Sequence, residues 1–180
     1  MSDSKPPDPR RTPVCELLGI ELPIVEAPLS ADPGLPAAVS NAGGLGTLGL
    51  GWADDAGAVV RDTAAQTDRP FAGNFVLAFD QHRRIDQALA AGLRVVSLFW
   101  GDPQDYVELV HDGGALVMHT VGSVEQARRA VGCGVDIVVA QGWEAGGHVW
   151  SGVATLPLVP AVVDAVAPVP VIAAGGIGDA

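Results

Sequence analysis

Basic residues are scarce in this chain: 10 Lys and Arg stand against 21 Asp and Glu, a formal net charge of -11. A surface of that sign repels phosphates, which excludes nucleic acid and anionic membranes as partners. Cysteine is rarer still. Cys15 and Cys133 lie far apart and match no CxxC or zinc spacing, so neither a disulfide framework nor a metal site is expected, and a reducing cytoplasm is the expected compartment. No run nears the roughly 18 consecutive apolar residues of a membrane helix. The opening MSDSKPPDPRRTP also lacks the apolar core of a secretion signal. It reads instead as a disordered polar tail over residues 1–13, joining a domain over residues 14–180.

What the chain has in quantity is apolar sequence, at 48% of residues, enough for one sizeable core. Seven short runs, most of them continuously apolar, mark candidate strands, at residues 22–28, 44–50, 71–77, 94–100, 115–121, 135–141 and 169–175. Unbroken apolar strands are buried on both faces, the signature of a parallel sheet. Between them lie Ala-rich segments of helical period, each closed by Gly or Pro. In SVEQARRAVGCG, Ser123 followed three residues later by Gln126 resembles a capping box.

Strand and helix in regular alternation leave two architectures, an open doubly wound sheet or a TIM (β/α)8-type barrel. The first strand-to-helix turn has no GxGxxG, and polar or Gly residues gather at strand carboxyl ends, where barrel sites are built. The barrel is therefore expected. With seven candidate strands where a barrel has eight, it is expected to be truncated before the eighth strand, and so incomplete at its carboxyl end. Unpaired edges in such a barrel invite pairing with another copy of the chain, so a homo-oligomer is an expected partner state.

Candidate functional residues cluster in two glycine-rich stretches. In QGWEAGGHVW, Gly146 and Gly147 permit close backbone approach to a flat ligand, and His148 follows them where an imidazole can accept a proton near neutral pH. Glu144 either orients that histidine or caps the loop. In AAGGIGDA, Gly175 and Gly176 leave backbone N–H groups open for a phosphate, or form an ordinary turn. Asn74 is a polar side chain in an apolar strand, and Gln141 closes another; each bonds either backbone or a ligand. His82 and His111 read as surface residues, and His119 as a satisfied core or rim histidine.

Taken together, LLGIELPIVEAPLS, VSNAGGLGTLG, FAGNFVL, VVSLFWGDP, AQGWEAGGHVW and PVPVIAAGGIGDA resemble the nitronate monooxygenase family, also known as 2-nitropropane dioxygenases. The resemblance implies an FMN-binding barrel that oxidises alkyl nitronates, and nitroalkanes, with oxygen to carbonyl compounds and nitrite. It implies a catalytic role for His148, backbone contacts to the isoalloxazine ring from Ala27, Pro28 and Leu29, and flavin contacts from Asn74 and Gln141. Gly146, Gly147, Gly175 and Gly176 would line the ribityl and phosphate path. Leu29 stands where methionine is usual, Glu26 where glutamine is frequent, and Thr120 where some members carry lysine. Two alternatives stay open: an FMN-dependent enoyl-acyl-carrier-protein reductase, and an inactive truncated paralogue serving as a binding module.

Overall fold

The computed structural model describes residues 11–178. Of the expected tail, residues 1–10 lie outside the described residues, and Pro13 already opens a helix. The elements run α1 (Pro13–Leu18), α2 (Gly34–Asn41), β1 (Gly46–Gly49), α3 (Ala56–Ala64), β2 (Phe71–Val76), α4 (His82–Ala90) and β3 (Val95–Phe99). They continue through α5 (Gln104–Asp112), β4 (Leu116–Val121), α6 (Val124–Gly132), β5 (Ile137–Gln141), α7 (Thr155–Val166) and β6 (Val171–Ala174). The strands form one six-stranded sheet in sequence order, every neighbouring pair parallel. This is the curled wall of a (β/α) barrel, as the alternation of strand and helix predicts. Among the described residues, no helix is long and apolar enough to cross a membrane.

Successive side chains of a strand take opposite faces, and here the two faces have different partners. Leu48, Phe75, Val96, Leu98, Val117 and Val138 turn outward into the layer of helices. Leu45, Ala72, Val95, Met118 and Ile137 turn inward and pack on Val14, Cys15 and Leu18 of α1. That helix, not anticipated from the sequence, plugs the amino-terminal end of the barrel. Thr12 caps it and Pro13 occupies its first turn, where a missing N–H removes nothing.

The expected strand over residues 22–28 reduces to one parallel bridge, Val25 with Leu45. Pro23 and Pro28 have no N–H to donate, so a continuous ladder cannot form. A side chain fills the gap. The Glu26 carboxylate accepts from Thr47 N–H at 3.1 Å, and the chain returns at Ser30, whose carbonyl accepts from Gly49 N–H at 2.7 Å. Burial raises the pKa of Glu26, and the hydrogen bond from Thr47 opposes that rise.

Like α1, helices α3 and α6 start on a capping side chain. Asp55 accepts from Ala58 N–H at 2.9 Å at the head of α3. Ser123 accepts from Gln126 N–H at 3.2 Å, while the Gln126 side chain reaches back to Gly122 N–H at 2.7 Å. This reciprocal pair draws the turn after β4 tight against α6. Leu98 is fully buried between sheet and helices. Its replacement by alanine is expected to lower unfolding free energy by about 2–5 kcal/mol, read from urea denaturation; a loss within error would show that the outer layer is not the stabilising core.

Candidate functional site

Continuing the inward-facing series two residues along each strand leads from the apolar plug to a polar storey. Thr47, Asn74, Ser97 and Thr120 are all buried and inward. Asn74 pairs with Ser97 in register, and its amide donates to the Ser97 hydroxyl at 3.1 Å and carbonyl at 3.3 Å. Thr47 Oγ1 is buried with no hydrogen-bond partner. An unpaired buried hydroxyl costs about 1–3 kcal/mol, and Thr47 carries that cost on the inner face of this storey. Two residues further stand Gly49, Val76, Phe99 and Gln141, at the carboxyl ends of their strands.

Gln141 controls the loop that carries His148. Its Nε2 donates to the His148 carbonyl at 3.0 Å, and its Oε1 accepts from Trp150 N–H at 3.0 Å. Both ends of the amide therefore hold loop backbone. Lower down, the Ser151 hydroxyl bonds the Gly122 carbonyl at 2.8 Å, anchoring the loop to the end of β4. Gly122 permits that approach, since a Cβ there would lie 2.6 Å from Ser151 Cα. Between these anchors the chain turns through Gly147 at φ 71°, with open space around Gly146 and Gly147. His148 emerges exposed beyond them.

Glu144 resolves the choice left by the sequence. Its carboxylate accepts from Thr155 N–H at 2.8 Å and from the Thr155 hydroxyl at 3.0 Å, so it caps α7. The Thr155 N–H, followed by other nearby hydrogen bonds, holds the Glu144 carboxyl below its ordinary pKa. The turn after β6 packs on the same corner: a Cβ on Gly175 would meet Thr155 Oγ1 at 2.7 Å, and one on Gly176 would meet Glu144 Cβ at 3.1 Å. The two glycine-rich stretches, about thirty residues apart in sequence, thus form one corner of the barrel mouth. Ala27, Pro28 and Leu29 lie exposed on the segment that crosses from Glu26 to Ser30 beside β1, with Leu29 76% exposed. Asn74 sits below the mouth. Among the described residues, no three His, Cys, Asp or Glu side chains gather as a metal site.

Sequence reasoning missed Trp100. It follows β3 directly at φ 52°, and among the described residues no other non-glycine has positive φ. For so bulky a side chain that conformation costs on the order of 1–3 kcal/mol. Its indole lies 5.0 Å from the His148 imidazole, centroid to centroid, tilted by 57°. The available signal was FWGDP: an aromatic directly before glycine at the carboxyl end of a strand.

His119 departs from the satisfied histidine expected. It alternates with the inward Met118 and Thr120, so it faces the helices rather than the mouth. It is 2% exposed, and its Nδ1 is buried without a partner. It borders a cavity of about 210 Å³ with Asp102, Gln126, Arg129 and Trp150. Burial drives its pKa down to about 4, against a smaller opposing effect of the Leu98 backbone. A larger hollow, about 440 Å³, opens at the opposite end of the barrel beside Leu17, Arg69 and Arg94, away from His148.

Comparison with known proteins follows this geometry. The family model described as nitronate monooxygenase matches residues 74–180. The chain is 39% identical over 176 residues to the (3aS,4S,5R,7aS)-5-hydroxy-7a-methyl-1-oxo-octahydro-1H-indene-4-carboxyl-CoA dehydrogenase of Mycobacterium tuberculosis, covering 94% of this chain and 49% of the relative. It is 32% identical over 215 residues of alignment to the nitronate monooxygenase of Pseudomonas aeruginosa, covering 91% and 61%. The solved structure of FabK from Thermotoga maritima superposes with a TM-score of 0.89 at 37% identity, covering 94% of this chain and 55% of that one. The chain spans about half the length of the first of these relatives.

The depressed pKa of His119 has a definite sign in the pH dependence of folding. As pH falls, the unfolded chain takes the proton first, from about pH 6.5, and the folded chain only near 4. The contribution is fully present above 6.5, is lost across that window, and levels off below it, by up to about 3 kcal/mol. Urea denaturation followed from pH 7 to 4 is expected to show a steeper loss for the native chain than for His119→Gln; parallel curves would mean that the ring is hydrated in the fold.

Proposed function

The chain belongs to the nitronate monooxygenase family of FMN-dependent oxidoreductases, and on that premise we propose that it oxidises alkyl nitronates, and nitroalkanes deprotonated in its own site, to carbonyl compounds and nitrite. The observation that carries this reading is the position of His148: an exposed imidazole on a loop tied down by Gln141, above a buried polar storey at the carboxyl mouth of a barrel.

The residues present suit FMN. The unpartnered hydroxyl of Thr47, together with Asn74, Ser97 and Thr120, offers the polar floor such a ligand needs. Gly146, Gly147, Gly175 and Gly176 would supply backbone N–H groups along the ribityl and phosphate path, and the backbone of Ala27, Pro28 and Leu29 would face the ring system. Gln141 contributes through the loop it holds, since both ends of its amide are engaged there. The chemistry a bound FMN supplies is electron transfer between the nitronate and oxygen.

The chain's own contribution is proton transfer and orientation. A nitroalkane loses its α-proton to an imidazole nitrogen of His148, and the electron pair left on carbon delocalises into the nitro group as the nitronate. A nitronate supplied ready-made needs no such base, and the protonated imidazole then stabilises its negative charge. The tie from Gln141 to the His148 carbonyl limits the ring's excursions, which keeps it within reach of the reacting carbon. The Trp100 indole lies beside the imidazole at 5.0 Å.

A second reading is favoured by the 39%-identical dehydrogenase, whose name specifies an acyl-CoA substrate. In that case the same His148 and flavin floor would serve redox chemistry on a thioester, as in the enoyl-acyl-carrier-protein reductase alternative. Anaerobic consumption of reduced nicotinamide with crotonyl thioester would favour it; release of nitrite from propyl-1-nitronate in air favours the first.

His148→Ala is expected to retain flavin, seen as visible absorbance after purification, while turnover of nitroalkane falls by about 10²–10⁴. Undiminished nitrite release by that variant would remove His148 from the reaction.

A further inference from the structure

All four tryptophans of the chain lie in segments that follow strands, Trp52 after β1, Trp100 after β3, and Trp143 and Trp150 after β5. They therefore share the carboxyl end of the sheet with His148. Phe79, after β2, joins them, its ring 5.6 Å from that of Trp52. Trp52 and Trp143 are 63% and 67% exposed. Large apolar rings left in water at one end of a barrel mark a surface built to be covered.

Trp100 stands at the centre of this set because its backbone is forced. Leu77 N–H donates to the Phe99 carbonyl at 2.8 Å, locking the ends of β2 and β3 together. Gly101, at φ 84°, is pressed so close that a Cβ would lie 2.8 Å from Leu77 Cβ. The chain turns at Trp100 under that constraint, and the indole lands on the inward-facing Phe99, stacked at 4.9 Å and 29°. Phe99 in turn meets Trp150 edge-on at 6.3 Å. His148 thus stands at the end of a run of rings through Trp100, Phe99 and Trp150, with the Trp100 indole 5.0 Å from the imidazole and tilted by 57°, while Trp150 also meets His119 edge-on at 6.0 Å.

We propose that Trp100 is the specificity-determining residue of this site, selecting substrates whose reacting carbon carries a flat or alicyclic ring over those with a short alkyl chain. An aromatic wall rewards a ring that can lie against it with both buried area and favourable stacking geometry. A two-carbon nitro compound covers little of it. The left-handed backbone at position 100 is what turns the indole toward His148, so its strain is retained for the placement it gives. This assignment rests on reading the mouth beside His148 as the substrate site.

The test is binding, separate from turnover. Dissociation constants of phenylnitromethane and nitroethane are measured by anaerobic equilibrium dialysis against the FMN-loaded protein. The native chain is expected to favour phenylnitromethane by about tenfold or more. Trp100→Ala and Trp100→Gly should bring the two affinities to within about twofold of each other, while Trp100→Phe keeps most of the preference. Glycine adopts positive φ freely, so Trp100→Gly keeps the backbone of the turn even where the alanine variant fails to fold. No preference in the native chain, or an unchanged preference in Trp100→Gly, overturns the assignment. Selective binding that Trp100→Gly abolishes, with no nitrite formed in air, overturns the proposed oxidation and leaves Trp100 in its role. Nitrite formation with the ring preference intact in Trp100→Gly does the reverse.

Discussion

Strict alternation of side chains along parallel strands is the constraint from which the site follows. Because every strand of the sheet pairs with its neighbour in the same direction, each adds one residue per storey to the same inner face. The lowest storey is apolar and closed by α1; the next, Thr47, Asn74, Ser97 and Thr120, is polar; the uppermost opens to the loops. A one-residue slip in any strand would exchange these residues for outward-facing ones such as Phe75, Leu98 and Val121. The apolar packing outside thus holds the polar storey in register.

Above this frame, order in the loops comes from a few side chains that bond backbone rather than ligand. Gln141 grips the His148 loop at two points, Ser151 fastens the same loop to the turn after β4, and Glu144 joins it to the head of α7. Each is a polar group between the end of β5 and the head of α7, and each ties the loop that carries His148 to sheet or helix. Glu144 and Gln141 therefore do architectural work here.

Much of the fold was legible because the signals were repetitive. Six of the seven apolar runs became strands, and Ser123 and Asp55 sit at the helix starts that their side-chain chemistry suggests. The run over residues 22–28 read as a strand for its hydrophobicity, but its two prolines limit pairing to a bridge. The site was legible only in part. EAGGH and AAGGI could be read because glycine and histidine in tight spacing have few structural uses, and the fold does bring the two turns to one corner. Trp100 was not legible: its placement beside His148 goes with a positive φ, next to the tight approach of Gly101 to Leu77, that no sequence pattern marks. His119 was misjudged as satisfied because strand membership says nothing about whether a buried nitrogen meets a partner.

The substitution of a side chain for a backbone rung at Glu26 has its own consequence. Ordinary sheet pairing is indifferent to acidity, since amides do not titrate. Here one rung of the seam between the first extended segment and β1 is a carboxylate that burial already inclines toward protonation. On acidification it becomes a poorer acceptor for Thr47 N–H, and the segment bearing Ala27, Pro28 and Leu29 then rests on the backbone bonds of Ile24, Glu26 and Ser30 alone.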